Sequence, residues 1–525
     1  MKLENAAALL LTITLAAALA VRVVAIQGSL PYPGHLDEPQ LTTPALHMLQ
    51  TGDLNPHMFE YPTLPVYLIA AGFTVGYLET GLHGVADVGA MDFPYYRTRR
   101  VVRPAKLLFA ALSVLAMLFT GCLGWWATRD PRALLGAPLV LSASPFFLHE
   151  SWKYLNVDIV GCAFAIATVA FVTRRRESHT ALERAVIPGV LAGLTVGCKY
   201  NLLPIVAPCI LSIWFWSGEA KLRHLVLFGA VCVLSFLAAV PFAIFDTWRF
   251  LDDVRAAIHH YATGHPGFEA APGLEQLRYY ARILVDDLGW LAPWLAITGA
   301  IIIARADARL ATVLAAFPIA LLLLMIAQRV HFARNALAVL PFYAVLATLG
   351  MIAASDAVRR ALRRLPGLRD RDAFTSGAAG VLIIGAFAAS LPWHHLVQAY
   401  GVRPDSRNLA RRWIEAHLAP GSRLMVAREL GMDTGALRAR YTVDERWFRK
   451  VDTERIPDGA AAYWLVPRFA VEPRRAARGR DAFTASFAEG RFEVLERFGS
   501  APVWVNYQES VPAGDPAFIL GRLRR

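Results

Sequence analysis

The segment Gly34-His35-Leu36-Asp37-Glu38-Pro39 places two adjacent carboxylates just after the first apolar stretch of the chain. At a membrane surface such a pair is costly unless it is hydrated, paired or used. A carboxylate there could take the proton of a hydroxyl as general base, its proton affinity raised by burial and by its neighbour. The same residues fit a helix start, with Asp37 as N-cap, Pro39 in the first turn and Glu38 favouring the helix dipole. The two readings are compatible. A further acid, Asp158, opens another apolar stretch, and Lys199-Tyr200 sits between two short ones, where Lys199 suits a buried ion pair. Arg329, His331 and Arg334 fall between two strong apolar runs. Arginine there offers a bidentate fork to phosphate oxygens, or simply snorkels to the interface. Arg97, Arg99, Arg100, Arg103 and Lys106 make a second basic cluster. His259-His260 and His265 have no metal-ligand spacing and read as loop histidines. No tightly held metal is expected, although Asp37 and Asp158 could share a weakly held divalent cation.

Membrane helices must position these groups. Of 525 residues, 56% are apolar and 18% charged, with mean hydropathy +0.41. A soluble chain carries about 25% charge. This composition excludes a disordered chain, a disulfide scaffold and a soluble enzyme, and leaves a polytopic membrane protein. Cys122, Cys162, Cys198, Cys209 and Cys232 all lie in apolar stretches and read as small buried hydrophobes. The net charge of +12 has to orient the protein or bind phosphate; no nucleic-acid partner is expected.

A spanning helix needs roughly 20 mostly apolar residues. Strong candidates are 6–26, 104–126, 157–173, 225–245, 288–304, 310–327, 335–354 and 376–392; weaker ones are 63–82, 132–149, 185–199 and 201–216. The run through Ile26 favours an uncleaved first helix over a signal peptide. Four basic connections should lie in the cytoplasm: Arg174–Arg176, Lys221 with Arg223, Arg305 with Arg309, and Arg359–Arg371. All four fall on one side only if 63–82 does not cross. The expectation is therefore about eleven spans, with 27–103 as one external segment and the C-terminus outside. Asp37, Asp158, Lys199 and Arg329–Arg334 then share the outer face. Arg97–Lys106 joins them against the usual charge preference, which an anionic ligand would explain and a long loop would excuse.

From residue 394 onward the pattern is that of a soluble α/β domain, making the expected division 1–393 and 394–525. Ser406–Ala416 reads as a helix, Pro420-Gly421 as its stop, and 423–427, 461–467, 491–498 and 502–507 as strands. The domain carries 22 basic against 16 acidic residues, half of the net charge, with its densest run at Arg474, Arg475, Arg478 and Arg480.

A resemblance adds to this reading. Asp37-Glu38, then Tyr61-Pro62-Thr63-Leu64-Pro65, a basic stretch ending at Arg103, Ser144-Pro145, Asp158, Gly193-Leu194-x-x-Gly197-x-Lys199-Tyr200 and Arg329-x-His331-Phe332-Ala333-Arg334 follow one another in order. That order resembles bacterial polyprenyl-phosphate-sugar-dependent glycosyltransferases of the GT-C fold, whose relatives include protein O-mannosyltransferases and lipid A aminoarabinose transferases. The resemblance implies Asp37 as catalytic base with Glu38 beside it, and Asp158 as the second-loop acid. It also implies a polyprenyl-phosphate-linked sugar donor in the bacterial inner membrane, a lipid, glycan or protein acceptor, and a periplasmic C-terminal domain. Substrate contacts would fall to Arg103, Lys199, Tyr200, Arg329, His331, Arg334 and Tyr61. The chain departs from the pattern twice. Glu60-Tyr61-Pro62-Thr63-Leu64 lacks the cation that relatives carry there, and Ser151-Trp152-Lys153 stands where they have Ser-Arg. Direct attack of an acceptor hydroxyl on the anomeric carbon would invert it, and cations would meet the charge growing on the departing phosphate.

Two other classes compete. A flippase for a lipid-linked glycan would show repeated halves and mid-membrane charges. A non-catalytic assembly factor would leave Asp37, Asp158 and Lys199 in unrelated places.

Overall fold

The computed structural model describes all residues except 1, 31, 33, 36, 81–98, 175–179, 266–267, 401–404, 428–429, 431, 433, 447–461, 468–491, 500–517 and 524–525. Its helical part begins with α1 (Lys2–Ser29), α2 (Glu38–Thr51), α3 (Leu64–Thr80) and α4 (Arg99–Thr128). Next come α5 (Pro131–Ser142), α6 (Pro145–Trp152), α7 (Val157–Arg174), α8 (Ile187–Val196), α9 (Val206–Trp216) and α10 (Lys221–Ala239). Short α11 (Phe242–Phe245) and α12 (Thr247–Thr263) precede α13 (Leu274–Leu288), α14 (Ala292–Ala306), α15 (Ala308–Ile326), α16 (Leu340–Leu362), α17 (Asp372–Ser390) and α18 (Trp393–Tyr400).

Among the described residues, seven helices are individually long and apolar enough to cross a membrane. Two bent pairs raise this to nine: α5 with α6 at 74° and α13 with α14 at 101°. The remaining expected crossings correspond to shorter helices between 182 and 216, where Pro188, Pro204 and Pro208 interrupt the backbone ladder. The fold class expected from composition therefore holds.

The bundle has two chemically distinct ends. At one, Arg132 pairs with Asp356 at 2.8 Å, Arg363 with Asp372 at 3.4 Å, and the Arg174 guanidinium lies over the Trp126 ring at 5.2 Å. Lys221 lies over Trp214 there, at 4.2 Å. Three of the four basic connections, those at Arg174, Lys221 and Arg363, make these contacts. At the other end, the Thr63 hydroxyl donates to the Ala239 carbonyl at 2.8 Å and Leu64 N–H to the Gly197 carbonyl at 3.3 Å. Small residues allow close helix approach: a Cβ on Gly72 of α3 would stand 2.5 Å from Ala105 Cα of α4.

The C-terminal part has its own core, with Ile414, Leu424, Val426, Trp464, Leu465 and Leu520 buried together. Helix α19 (Ser406–His417) is followed by β1 (Arg423–Ala427), short α20 (Gly435–Arg438), β2 (Thr442–Arg446), β3 (Ala462–Pro467), β4 (Phe492–Phe498) and β5 (Phe518–Leu523). The sheet order is β2-β1-β3-β5-β4, parallel around β1 and antiparallel around β5. Strands β2 and β5 lie outside the four stretches that the sequence pattern marks as strands. β2 alternates Thr442, Val443, Asp444, Glu445 and Arg446, too polar to read as a strand until paired with β1. The expected strand at 502–507 and the basic run Arg474–Arg480 lie outside the described residues.

This domain is tied to the end of α1. Asp405 N–H donates to the Gly28 carbonyl at 3.0 Å and the Asn408 amide to the Leu30 carbonyl at 3.1 Å. Asp405 and Arg407 form a buried pair at 2.7 Å, with the guanidinium 4.2 Å from the Tyr32 ring centroid. It therefore sits at the end opposite the basic connections.

Candidate active site

Asp37 occupies the N-cap position of α2, but its side chain makes no capping hydrogen bond. Its carboxylate instead accepts from Arg334 Nη1 at 2.5 Å and lies 3.8 Å from His35 Nδ1. Asp37 N–H donates to that same His35 nitrogen at 3.1 Å. Burial opposes ionisation, yet Arg334 and His35 hold the Asp37 carboxyl below the ordinary range. The helix start expected from the sequence is present, and the side chain has been turned to another use.

Glu38 points elsewhere. It is fully buried, accepting from Gly34 N–H at 2.6 Å and standing 3.5 Å from Lys106 Nζ. Lys106 also donates to the carbonyls of Tyr32 and Lys153. Burial pushes the Glu38 carboxyl up, against the pull of Lys106. Gly34 is required here: a Cβ would stand 2.0 Å from the Lys153 carbonyl oxygen. The knot of Gly34, Glu38, Lys106 and Lys153 binds the first acidic loop to the second, and Glu38 does not line the pocket.

Asp158 sits in the first turn of α7 and accepts from Lys199 Nζ at 2.5 Å. Lys199 bonds in turn to Asn335 Oδ1 at 2.7 Å. Asn335 follows Arg334 in a 3₁₀ helix, Ala333–Val339, so one turn of backbone presents Arg334 to the first acid and Asn335 to the partner of the second. A small open cleft joins them, lined by Asp37, Leu41, Tyr61, Tyr154, Leu155, Asn156, Val157, Asp158 and Arg334. Arg334 also lies over the Phe332 ring, 4.9 Å from its centroid. Burial pushes the Tyr61 and Tyr154 hydroxyls up, so both stay protonated.

Asp37, Asp158, Tyr61, Lys199 and Arg334 are thus brought together, while other expected residues are not in the cleft lining. Tyr200 donates to the Phe59 carbonyl at 3.0 Å, and His331 stacks on Tyr279 at 3.9 Å. Arg103 and Arg329 are exposed. Arg97 lies outside the described residues. Tyr154, Asn156 and Asn335 escaped notice because uncharged polar residues in single copies carry little signal. Tyr154 is oriented by Glu150, whose Oε2 accepts its hydroxyl at 2.6 Å, and its ring stacks on His35 at 4.6 Å. Among the described residues no three His, Cys, Asp or Glu side chains gather as metal ligands. Both cleft carboxylates face a cation of the protein itself.

No family profile and no curated protein matches the chain by sequence. Solved structures do. Apo ArnT from Cupriavidus metallidurans matches over 97% of both chains, with TM-score 0.52 and 15% identity. ArnT of the same organism bound to undecaprenyl phosphate matches over the same shares, with TM-score 0.51 and 15% identity. The archaeal oligosaccharyltransferase AglB from Archaeoglobus fulgidus, in complex with an inhibitory peptide and a dolichol-phosphate, matches with TM-score 0.50 and 14% identity, over 79% of this chain and 62% of that one. This chain therefore has the fold of those proteins, the GT-C architecture of a polytopic membrane protein.

Proposed function

We propose that this protein is a membrane glycosyltransferase that moves a sugar from a polyprenyl-phosphate donor to an acceptor hydroxyl. The observation that carries the reading is one cleft in which Asp37 faces Arg334 and Asp158 faces Lys199. The shared fold supports it, since solved neighbours hold undecaprenyl phosphate and a dolichol-phosphate.

Asp37 is the base. At rest, Arg334 neutralises it and keeps it ionised. A donor phosphate entering the cleft competes for the same guanidinium, because arginine binds phosphate as well as carboxylate in a bidentate fork. Losing that partner raises the proton affinity of Asp37 just as the acceptor hydroxyl arrives. The acceptor oxygen forms its bond to the anomeric carbon while the phosphate oxygen leaves with the bonding pair. Asp37 takes the hydroxyl proton, and Arg334 meets the growing phosphate charge. Displacement from the opposite face inverts the anomeric carbon. Asp158, Lys199 and Asn335 hold the far wall in register.

The basic connections belong in the cytoplasm by the positive-inside rule, which supports a cleft and a C-terminal domain on the outer face of a bacterial inner membrane. The path of α3 supports this. Tyr61, just before α3, lines the cleft and Lys106, in the second turn of α4, reaches Glu38, so α3 and α4 both begin at the same end. The arrangement of acids and cations at one end speaks against a flippase. Their convergence speaks against an assembly factor.

The test incubates purified protein with a panel of polyprenyl-phosphate sugars and reads the products by mass spectrometry. Sugar transfer that persists undiminished in Asp37→Asn would reject the assignment of the base.

A further inference from the structure

Helix α12 has no buried residue, although it connects two walls of the candidate site. One side is docked. Phe250 packs against Phe59 and Tyr200, with centroids 5.7 Å and 6.3 Å away, and Asp253 accepts from Phe59 N–H at 2.8 Å. At its C-terminal end the Tyr261 carbonyl accepts from Arg329 N–H at 3.1 Å, and the Tyr261 ring meets Phe332, the residue under the Arg334 guanidinium.

The other side is unpartnered. At about 100° per residue, Trp248, Leu251 and Ile258 share one flank. Trp248 is 79% exposed and Ile258 65%, and Phe245, just before the helix, is 79% exposed. Arg255 falls within that arc and Asp252 at its edge; the two pair at 3.3 Å with both side chains open to solvent, and an arginine there can reach past the apolar side chains to the headgroups. The chain leaves spanning helix α10 at Ala239, only nine residues before Trp248. The same end of the bundle carries three more exposed tryptophans: Trp290 and Trp294 at the bend between α13 and α14, and Trp393 just beyond α17. Tryptophan rings collect at the level where acyl chains meet headgroups.

We propose that α12 seats its Phe245, Trp248 and Ile258 flank in the membrane, at the acyl–headgroup boundary of the leaflet facing the candidate site. The occupant is the lipid surface itself, because the apolar flank continues from a spanning helix and shares its level with the tryptophan girdle. Acidic and basic residues balance on α12, so the seat depends on apolar burial and not on anionic lipid. Seated this way, the helix holds the Phe59 loop and the Arg329–Arg334 segment at a fixed height above the bilayer. The inference does not depend on the transferase reading.

The test uses the full-length protein in phosphatidylcholine nanodiscs, with its five native cysteines replaced by alanine. An environment-sensitive fluorophore is attached at Trp248→Cys, Ile258→Cys or Ala256→Cys, the last of these exposed and about 120° around the helix from the middle of the flank. Probes at 248 and 258 should be quenched several-fold more by a lipid-borne nitroxide than by aqueous iodide, and the probe at 256 should show the reverse. If all three respond to iodide alone, the proposal is overturned. Shielding of 248 and 258 from both quenchers, as a covering protein would give, overturns it equally. A second measurement needs no label: brominated phosphatidylcholine should quench less tryptophan fluorescence in Trp248→Phe than in the unmodified protein. Equal quenching would sink the idea.

Discussion

Asp37 and Glu38 are neighbours in the chain and opposites in the structure. The Asp37 side chain is 27% exposed, lines the cleft and pairs with an arginine brought from nearly 300 residues away. Glu38 is fully buried against Lys106 and locks backbone to backbone. Successive side chains at a helix start diverge by about 100°, so one step along the chain separates a carboxylate at the cleft from one sealed beneath it. The other two pairs sort the same way. Asp158 and Lys199 meet at the cleft wall, whereas Asp405 and Arg407 close a joint between α1 and the C-terminal domain. An ion pair at a cleft can exchange a partner for a ligand. One sealed on all sides cannot.

This contrast can be broken by experiment. Asp37→Asn should lower sugar transfer by about 10²–10⁴-fold, as expected for loss of a general base. Its unfolding temperature in detergent should fall only modestly near neutral pH and meet that of the unmodified protein at acid pH. Glu38→Gln should do the opposite. Leaving Lys106 buried without its carboxylate costs about 3–5 kcal/mol, seen as a lower unfolding temperature, with turnover per folded molecule largely kept. If Glu38→Gln were as stable as the unmodified protein yet inactive, the distinction between the two acids would collapse.

Arg334→Gln sharpens the comparison through pH. Arg334 holds the Asp37 carboxyl below its ordinary value, so the acid limb of kcat/KM should lie on the acid side of the ordinary aspartate range. Removing the guanidinium raises that carboxyl, and the acid limb of kcat/KM should move to higher pH. Turnover should also drop by about 10²-fold or more if Arg334 meets the leaving charge. An acid limb that stays in place would mean Arg334 does not control Asp37.

Stability should carry the same two signs. The depressed Asp37 carboxyl favours the fold above the ordinary carboxylate value, and that contribution fades as pH falls through the depressed value. The raised Glu38 carboxyl works in reverse, favouring the fold below the ordinary value and losing its effect as pH rises through the folded one. Unfolding temperatures of Asp37→Asn and Glu38→Gln between pH 3 and 8 should therefore depart from the unmodified protein at opposite ends. The smallest effects belong to the exposed arginines outside the cleft. Arg103→Ala and Arg329→Ala should each change stability by no more than about 0.5 kcal/mol and leave donor KM nearly unchanged in a titration of the lipid-linked sugar.

The membrane class and the helical stretches were legible because lipid demands long apolar runs whatever their neighbours. Asp37, Asp158, Lys199 and Arg334 stood out for a related reason: a charge at the edge of such a run is costly and therefore conspicuous. Their order along the chain was legible too, and the basic connections marked which helix ends belong together. Partners were not. Nothing in the sequence ties Asp37 to Arg334, Glu38 to Lys106, or Lys199 to Asn335 across separations of 68 to 297 residues. Those choices depend on helix rotation and close approach, such as Gly34 against the Lys153 carbonyl. Arg103 and Lys106 lie within one turn of the same helix and would read alike in any count of charge, but rotation exposes one and buries the other. By itself the sequence determined the solvent this protein lives in, the elements it builds and the acids worth watching. Only the tertiary structure decided which cation each acid meets, because that depends on the angle at which one helix faces another.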